Sequence, residues 1–279
     1  MTCRKSATAV VLVASLGLSR TLCAQQAKTP SLHEILARLQ ANLNHYDASV
    51  PSLFCDEHIV SSQMAPGERD QNTVTDSVFR LKRTPKPDHT TTLVESREIR
   101  FVDGKPAKSQ HIDGPTLLSG AFEGGLAVVS QDQSSCMSYK LQRVDRKHPA
   151  EPYVISFATV LTPQNSAGCL LQENSTGRVL IDPGTMQIKR LEIATSRHTI
   201  IPGNHYTPPV MGKREISVDY SPVQLGGETF WVPADITMRS ISGAGTFHMI
   251  VWSFLATYRN YHELQVTWRM LPGSQPNAP

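Results

Sequence analysis

The sequence predicts an α+β protein in which a curved antiparallel sheet forms an incomplete β-barrel around an N-terminal helix and a helical or loop insertion. Apolar residues recur at helical spacing only near the start, over residues 31–45. From residue 56 onward they alternate with polar residues in roughly ten runs that turn residues separate. Because too few helices remain to cover a flat sheet, we expect the sheet to curve around the elements available.

The helix has a clear start and a clear end. Ser31 and Glu34 have the spacing of a capping box. Pro51, shortly after Asp47, predicts an end near His45. The residues between them place one apolar face on the helix: Leu32, Ile35, Leu36, Leu39 and Leu43.

Turn residues divide the rest of the chain into strands. Asp103–Gly104, Asp182–Gly184 and Gly226–Gly227 predict tight turns. The apolar alternation changes phase between Ile188 and Leu191, which predicts a β-bulge.

Two further segments lie near the end of the chain and in its middle. The alternation over 264–270 predicts a last strand, with a corner at 260–262 before it. Residues 111–135 break the strand pattern and contain several glycines, so we expect short helices or a mobile loop there.

The first 24 residues have the features of a secretory signal peptide. Arg4 and Lys5 precede an apolar run over 6–18, and Ala24 offers a small residue for cleavage. The run is too short to span a bilayer. A buried N-terminal helix and a lipid anchor at Cys23 are the alternatives. We expect an exported protein, periplasmic or secreted, with a single domain over 25–271 and a flexible tail over 272–279.

Charge and composition exclude several classes of protein. With 39% hydrophobic and 18% charged residues, the chain is not disordered along its length. Without residues 1–24 its basic and acidic residues balance. No nucleic-acid partner is expected from a neutral chain, and no later segment is apolar enough to cross a membrane.

Three cysteines follow the signal peptide. Cys136 opens one strand and Cys169 precedes another, so a Cys136–Cys169 disulfide would close a loop of about 30 residues and stabilise the fold by about 3–4 kcal/mol. Three buried reduced thiols, including Cys55, are the alternative.

Several segments resemble one superfamily of exported proteins. They are the hairpin over 177–192, which fits G-x-V-x-I-D-x-x-T-x-x-I-x-R-x-E, and the stretches 50–58, 218–223, 228–233 and 258–262. They are similar to uncharacterised exported bacterial proteins that look like the periplasmic lipoprotein carriers (LolA-like) and the regulator RseB.

The resemblance implies an incomplete barrel whose apolar cavity is closed by helices, and a ligand that is an acyl chain or a lipoprotein. In the carriers an arginine helps to keep the lid shut. Four residues could take that role here: Arg80, Arg97, Arg100 and Arg190.

The candidate site is therefore apolar. Six residues are expected to line the cavity: Tyr139, Phe157, Ile181, Val218, Trp252 and Phe254. Four residues of the insertion are expected to form the lid: Leu117, Leu118, Phe122 and Leu126. The same stripe is also typical of an ordinary core.

Motifs for catalysis or metal binding are weak. Asp56 and His58 would share one face of a strand, with Glu57 on the other, and could serve a hydrolase. The histidines lack the spacing of a zinc site, and no nucleophile elbow is present. No metal or cofactor is expected.

These features favour a non-enzymatic exported protein that binds a lipid or an acylated ligand. A protein-interaction or sensing module of the cell envelope is the first alternative, and a hydrolase that uses Asp56 and His58 is the second.

Overall fold

The structure is a computed structural model that describes residues 30–63, 71–85, 91–110, 122, 127–142, 150–200, 210–244 and 247–264. Several expectations concern residues outside these ranges. They are the signal peptide over 1–24, the lid residues Leu117, Leu118 and Leu126, the last strand over 265–270 and the tail over 272–279.

Helix α1 (Leu32–Ser49) begins at the predicted cap. Ser31 Oγ accepts from the Glu34 N–H, and the Glu34 carboxylate accepts from the Ser31 N–H at 2.6 Å. The helix continues one turn beyond the expected end because Tyr46 adds to its buried face. Tertiary packing of that aromatic ring outweighs the weak helix propensity of Asp47 and Ser49.

The strands are β1 (Leu53–Gln63), β2 (Gln71–Pro85), β3 (Thr91–Val102), β4 (Lys105–Pro106), β5 (Met137–Leu141), β6 (Tyr153–Thr159), β7 (Ser175–Ile181), β8 (Ile188–Ile200), β9 (Val210–Leu225), β10 (Glu228–Ala244) and β11 (Phe247–Glu263). Short 3₁₀ helices lie at Gln131–Gln133 and Ser166–Gly168.

All eleven strands form one antiparallel sheet in the order β4-β3-β2-β1-β11-β10-β9-β8-β7-β6-β5. Neighbours along the chain are neighbours in the sheet, except that β4 and β5 lie at opposite edges and that β11 pairs with β1. The sheet stays open, since β4 and β5 do not pair. The predicted fold class, an open antiparallel sheet with a helix, is confirmed.

The predicted turns and the bulge occur where expected. Asp103 and Gly104 both have positive φ, as do Gly226 and Gly227. Leu180 pairs with Arg190 while Ile181 pairs with Ile188, so Lys189 is the extra residue of the bulge. The corner expected at 260–262 is wrong, because β11 runs through to Glu263 and Asn260 only takes a positive φ within it.

Two apolar rows cross the face of the sheet that packs on α1, which we call the inner face. Each row follows the strand register across eight strands. The first apolar row is Leu141, Ile155, Val179, Leu191, Val218, Ile236, Ala256 and Ile59. The second apolar row is Tyr139, Phe157, Gly177, Ile193, Ile216, Met238, Phe254 and Ser61.

A disulfide joins Cys136 to Cys169, with a Cα–Cα distance of 5.7 Å. It ties the start of β5 to the connection between β6 and β7. Cys55 is a free and fully buried thiol, and burial raises its pKa to about 12. This thiol is therefore protonated at neutral pH.

Candidate functional site

The six predicted cavity residues all lie on the inner face. Tyr139, Phe157 and Phe254 belong to the second apolar row and Val218 to the first. Ile181 lies closer to α1, and Trp252 lies two residues before Phe254 on β11, beyond the second row. Tyr139 and Trp252 are partly buried, whereas the other four are buried.

Helix α1 fills one end of this face. Its residues Leu39, Leu43 and Tyr46 pack near Ile188 and Phe230, and the cavity left between helix and sheet is about 20 Å³. That volume holds about one water molecule. Beneath the helix, the described residues form a packed core and not an open hollow.

The second apolar row is less completely covered. Ile193 and Ile216 are adjacent on β8 and β9, and both are only partly buried. Next to them the Phe157 ring lies over Gly177, where a Cβ atom would be 2.3 Å from Cζ of the ring. A glycine here gives the ring room to lie flat on the sheet.

Of the four residues predicted for the lid, the structure describes Phe122, which is anchored on the inner face. Its side chain is fully buried and stacks on Phe79 with a centroid distance of 4.2 Å. The Tyr258 ring meets it edge-on at 5.1 Å. Its backbone N–H donates to Oε1 of Glu95 at 3.1 Å. One aromatic ring and one hydrogen bond thus hold Phe122 over β2, β3 and β11.

A buried ion pair lies beside this anchor. Glu57, whose side chain is fully buried, accepts from Nε of Arg97 at 2.8 and 3.0 Å. The Arg97 guanidinium also lies 5.0 Å from the centroid of the Phe79 ring, the ring on which Phe122 stacks. Burial and the Glu57 carboxylate raise the pKa of the Tyr258 phenol.

The four arginines that were candidates for the lid role lie in different environments. Arg97 points to the inner face, where it meets Glu57. Arg80 and Arg100 lie near Glu98 at the surface. Arg190 pairs with Asp219, also with substantial exposure. Arg97 is therefore the arginine that contacts the aromatic cluster of Phe122.

A second polar cluster lies at the end of the inner face away from α1. Glu173 accepts from Arg214 Nη2 at 2.9 Å and lies 2.9 Å from Nδ1 of His198. Ser175 and Thr195 share a buried hydrogen bond of 2.8 Å in the same region. This cluster joins the ends of β7, β8 and β9.

Asp56 and His58 lie on the other face of β1, the outer face, with Glu57 pointing inward as expected. Asp56 and His58 are each hydrogen-bonded to a residue of a neighbouring strand and not to each other. His58 Nδ1 is 2.7 Å from Oδ1 of Asp76, and Asp56 accepts from Asn260 at 2.8 Å. Both are surface pairs of neighbouring strands, and no enclosed site surrounds them among the described residues.

The outer face carries a trough of about 740 Å³ across β6 to β10. Its lining includes the small polar residues Ser156, Thr176 and Ser217. Arg178 and Glu192, which pair with each other, also line it. Such a lining suits polar groups, not a hydrocarbon chain.

The part of the chain that the structure describes contains no group of three or more His, Cys, Asp and Glu residues that could hold a metal ion. Within the same residues, no helix is both long and apolar enough to span a membrane.

The fold is similar to two solved structures. A LolA superfamily protein from Nitrosomonas europaea matches 83% of this chain and 94% of its own, with 8% sequence identity and a TM-score of 0.33. A DUF1329 family protein from Desulfovibrio piger matches 84% of this chain and 94% of its own, with 9% identity and a TM-score of 0.39.

The first of these structures belongs to the superfamily that the sequence motifs resemble. No protein-family model matches the sequence, and no curated protein matches it either.

Sequence reasoning missed both polar clusters. Glu57 does have the same strand parity as Cys55 and Ile59, which signals a carboxylate on the apolar face. Its partner Arg97 lies 40 residues away, and no local pattern links the two.

Proposed function

We propose that this protein is exported, has no enzymatic activity and binds a lipid or an acylated ligand on the inner face of its sheet. One observation carries the proposal. Two apolar rows cross eight strands, and Ile193 and Ile216 of the second row stay only partly buried, while α1 packs at the end near Phe230 and Ile188. Continuous apolar surface of this extent requires a cover.

The ligand would lie along the second apolar row. Ile193 and Ile216 are its least buried aliphatic residues between Phe157 and Met238. Each methylene that leaves water there contributes about 0.8 kcal/mol, and micromolar affinity needs about 8 kcal/mol. Burial of about ten methylenes would therefore match this free energy before any ordering cost is counted. Because the ligand and the side chains around it lose freedom on binding, micromolar affinity needs a longer chain.

The insertion around Phe122 would act as the lid. Phe122 closes over Phe79 and Tyr258, and Arg97 holds the Phe79 ring from the sheet. In this assignment Arg97 takes the role of the lid arginine of the carriers that the motifs resemble. Ligand entry would break the Phe122 stack and the hydrogen bond to Glu95.

The export signal over 1–24 supports a location in the periplasm or outside the cell. Lipids and acylated proteins must cross water in those compartments, and a soluble protein that binds them would shield their acyl chains. The balanced charge of the mature chain agrees with an apolar ligand more than with an anionic surface.

The test is a titration of the delipidated mature protein with a fluorescent 16-carbon fatty acid. We expect micromolar binding by the wild type. Ile216→Trp, which fills the second apolar row, should weaken binding at least tenfold. Leu255→Trp is the matched control, because Leu255 is exposed on the outer face and the same enlargement there should leave binding unchanged.

Circular dichroism and urea unfolding show whether both variants fold. The proposal fails if the stripped wild-type protein takes up no probe, or if the two tryptophan variants bind it equally well.

A further inference from the structure

A polar row lies next to the second apolar row on the inner face. The register aligns Ser175, Thr195, Arg214, Ser240 and Trp252 across five neighbouring strands, from β7 to β11. Arg214 and Trp252 each stand opposite Ser240, so the three side chains rise from successive strands about 5 Å apart. The polar row thus marks one end of the apolar surface.

Two donors of this row lack acceptors. Nε of Arg214 and Nε1 of Trp252 are both buried, and no hydrogen-bond acceptor among the described residues reaches either atom. Ser240 lies between them and is 2% exposed. Buried N–H groups are nearly always paired in folded proteins, so two orphan donors on either side of Ser240 leave a place for the acceptor of a ligand.

The charge around these donors suits an anion. Nη2 of Arg214 donates a hydrogen bond to Glu173 at 2.9 Å, and Glu173 also lies beside Nδ1 of His198. The Nε edge of the guanidinium remains for a second acceptor. A carboxylate or phosphate oxygen accepts several N–H bonds at once and would also take the Ser240 hydroxyl.

We propose that the polar row binds the anionic headgroup of an amphiphile whose hydrocarbon chain lies along the second apolar row. Arg214, Ser240 and Trp252 are its donors, and the headgroup is a carboxylate or a phosphate. This inference rests on the proposed function, since it orients the same ligand. It adds a position: the headgroup lies beside the second apolar row, on the side toward the β10–β11 hairpin.

The experiment compares three amphiphiles with matched 16-carbon chains: hexadecanoate, a lysophosphatidate and hexadecyltrimethylammonium. Wild-type protein should bind at least one of the two anions ten or more times more tightly than the cation. The anion that binds more tightly shows whether the preferred headgroup is a carboxylate or a phosphate.

Two variants remove one donor each. Trp252→Phe keeps a ring but loses the N–H, and Arg214→Lys keeps the charge beside Glu173 but loses Nε. Each should lower affinity for the anion about tenfold and leave affinity for the cation within twofold. Trp231→Phe is the control for Trp252→Phe, because Trp231 lines the small cavity under α1, and it should not change the preference.

The outcomes separate the two proposals. If anion and cation bind equally well and the variants change nothing, the headgroup site is wrong while the lipid-binding function stands. If the variants weaken all three ligands alike, they act on the apolar row, and the headgroup site is again wrong. If no amphiphile binds the wild-type protein, both proposals are overturned.

Discussion

At the scale of single residues, a charged pair inside the sheet distinguishes this protein from a plain apolar core. The parity of β1 assigns Glu57 to the inner face from sequence alone, and the structure puts it there. The sequence could not identify Arg97 as its partner, because the contact crosses two strand pairs and depends on the full register of β1, β2 and β3. Partner choice between distant residues is a property of the folded sheet.

Removal of one member of this pair should be costly. Arg97→Met leaves the Glu57 carboxylate buried without a counter-ion, and we expect a loss of about 3–5 kcal/mol in the free energy of unfolding. Urea denaturation at pH 7 measures it. The double variant Glu57→Leu/Arg97→Met should recover most of the loss, since two apolar side chains need no counter-ion.

Arg80→Met provides the matched control. Arg80 and Glu98 also pair across β2 and β3, but on the exposed outer face. Little change in stability is expected there, because water screens exposed ion pairs. Equal losses for Arg80→Met and Arg97→Met would contradict the role given to burial.

At the scale of elements, local chemistry explains what the sequence predicted well. The capping box of α1, the turn at Gly226–Gly227 and the bulge at Lys189 each depend on residues within a few positions of one another. The end of α1 was predicted too early because Tyr46 is fixed by a tertiary contact with Phe230, at a ring distance of 6.3 Å. Local propensity does not contain that contact.

The turn between β7 and β8 should make stability depend on pH. Asp182 Oδ1 accepts from the backbone N–H of Thr185 at 2.8 Å, and also from the N–H of Gly184 and the hydroxyl of Thr185. These bonds, the Thr185 N–H first, hold the pKa of Asp182 below its usual value. A lowered folded-state pKa stabilises the protein above the unfolded-state pKa of about 4, and this contribution disappears as the pH falls through the folded-state value.

Asp182→Ala should therefore cost about 1 kcal/mol at pH 7, and the difference from wild type should shrink as the pH falls below about 4. Thermal unfolding across pH 2–7 measures this. Asp182→Asn retains a side-chain acceptor without the charge, so its smaller deficit should vary less with pH. A deficit for Asp182→Ala that stays constant down to pH 2 would rule out the ionised carboxylate as the cause.

At the scale of the whole molecule, the sequence predicted an open antiparallel sheet, and the structure has one. Periodicity and turn residues were sufficient for the strands, because these signals are local. The candidate site was predicted only in part. The apolar residues of the inner face follow from alternation, whereas both polar clusters arise from strands that the register brings side by side.

The disulfide should stabilise the molecule as a whole. Cys136 and Cys169 are 33 residues apart, so the double variant Cys136→Ser/Cys169→Ser should lose about 3–4 kcal/mol of unfolding free energy by the chain-entropy argument. Urea denaturation with and without reductant measures it, and the double variant should not respond to reductant. Cys55→Ala should lose stability in reductant as the wild type does. If Cys55→Ala did not respond to reductant, the free thiol and not the disulfide would be the cause.

The pairing of β1 with β11 also determines when the sheet can be completed during folding. Asp56 and Asn260, which are hydrogen-bonded across this seam, are 204 residues apart. Each flank, β2 to β4 on one side and β5 to β10 on the other, is a succession of hairpins that can assemble as it emerges. The seam has to wait for nearly the entire polypeptide, and closing so long a loop is slow. Until β11 is in place, the open edges of β1 and β10 are both exposed and able to pair with other strands.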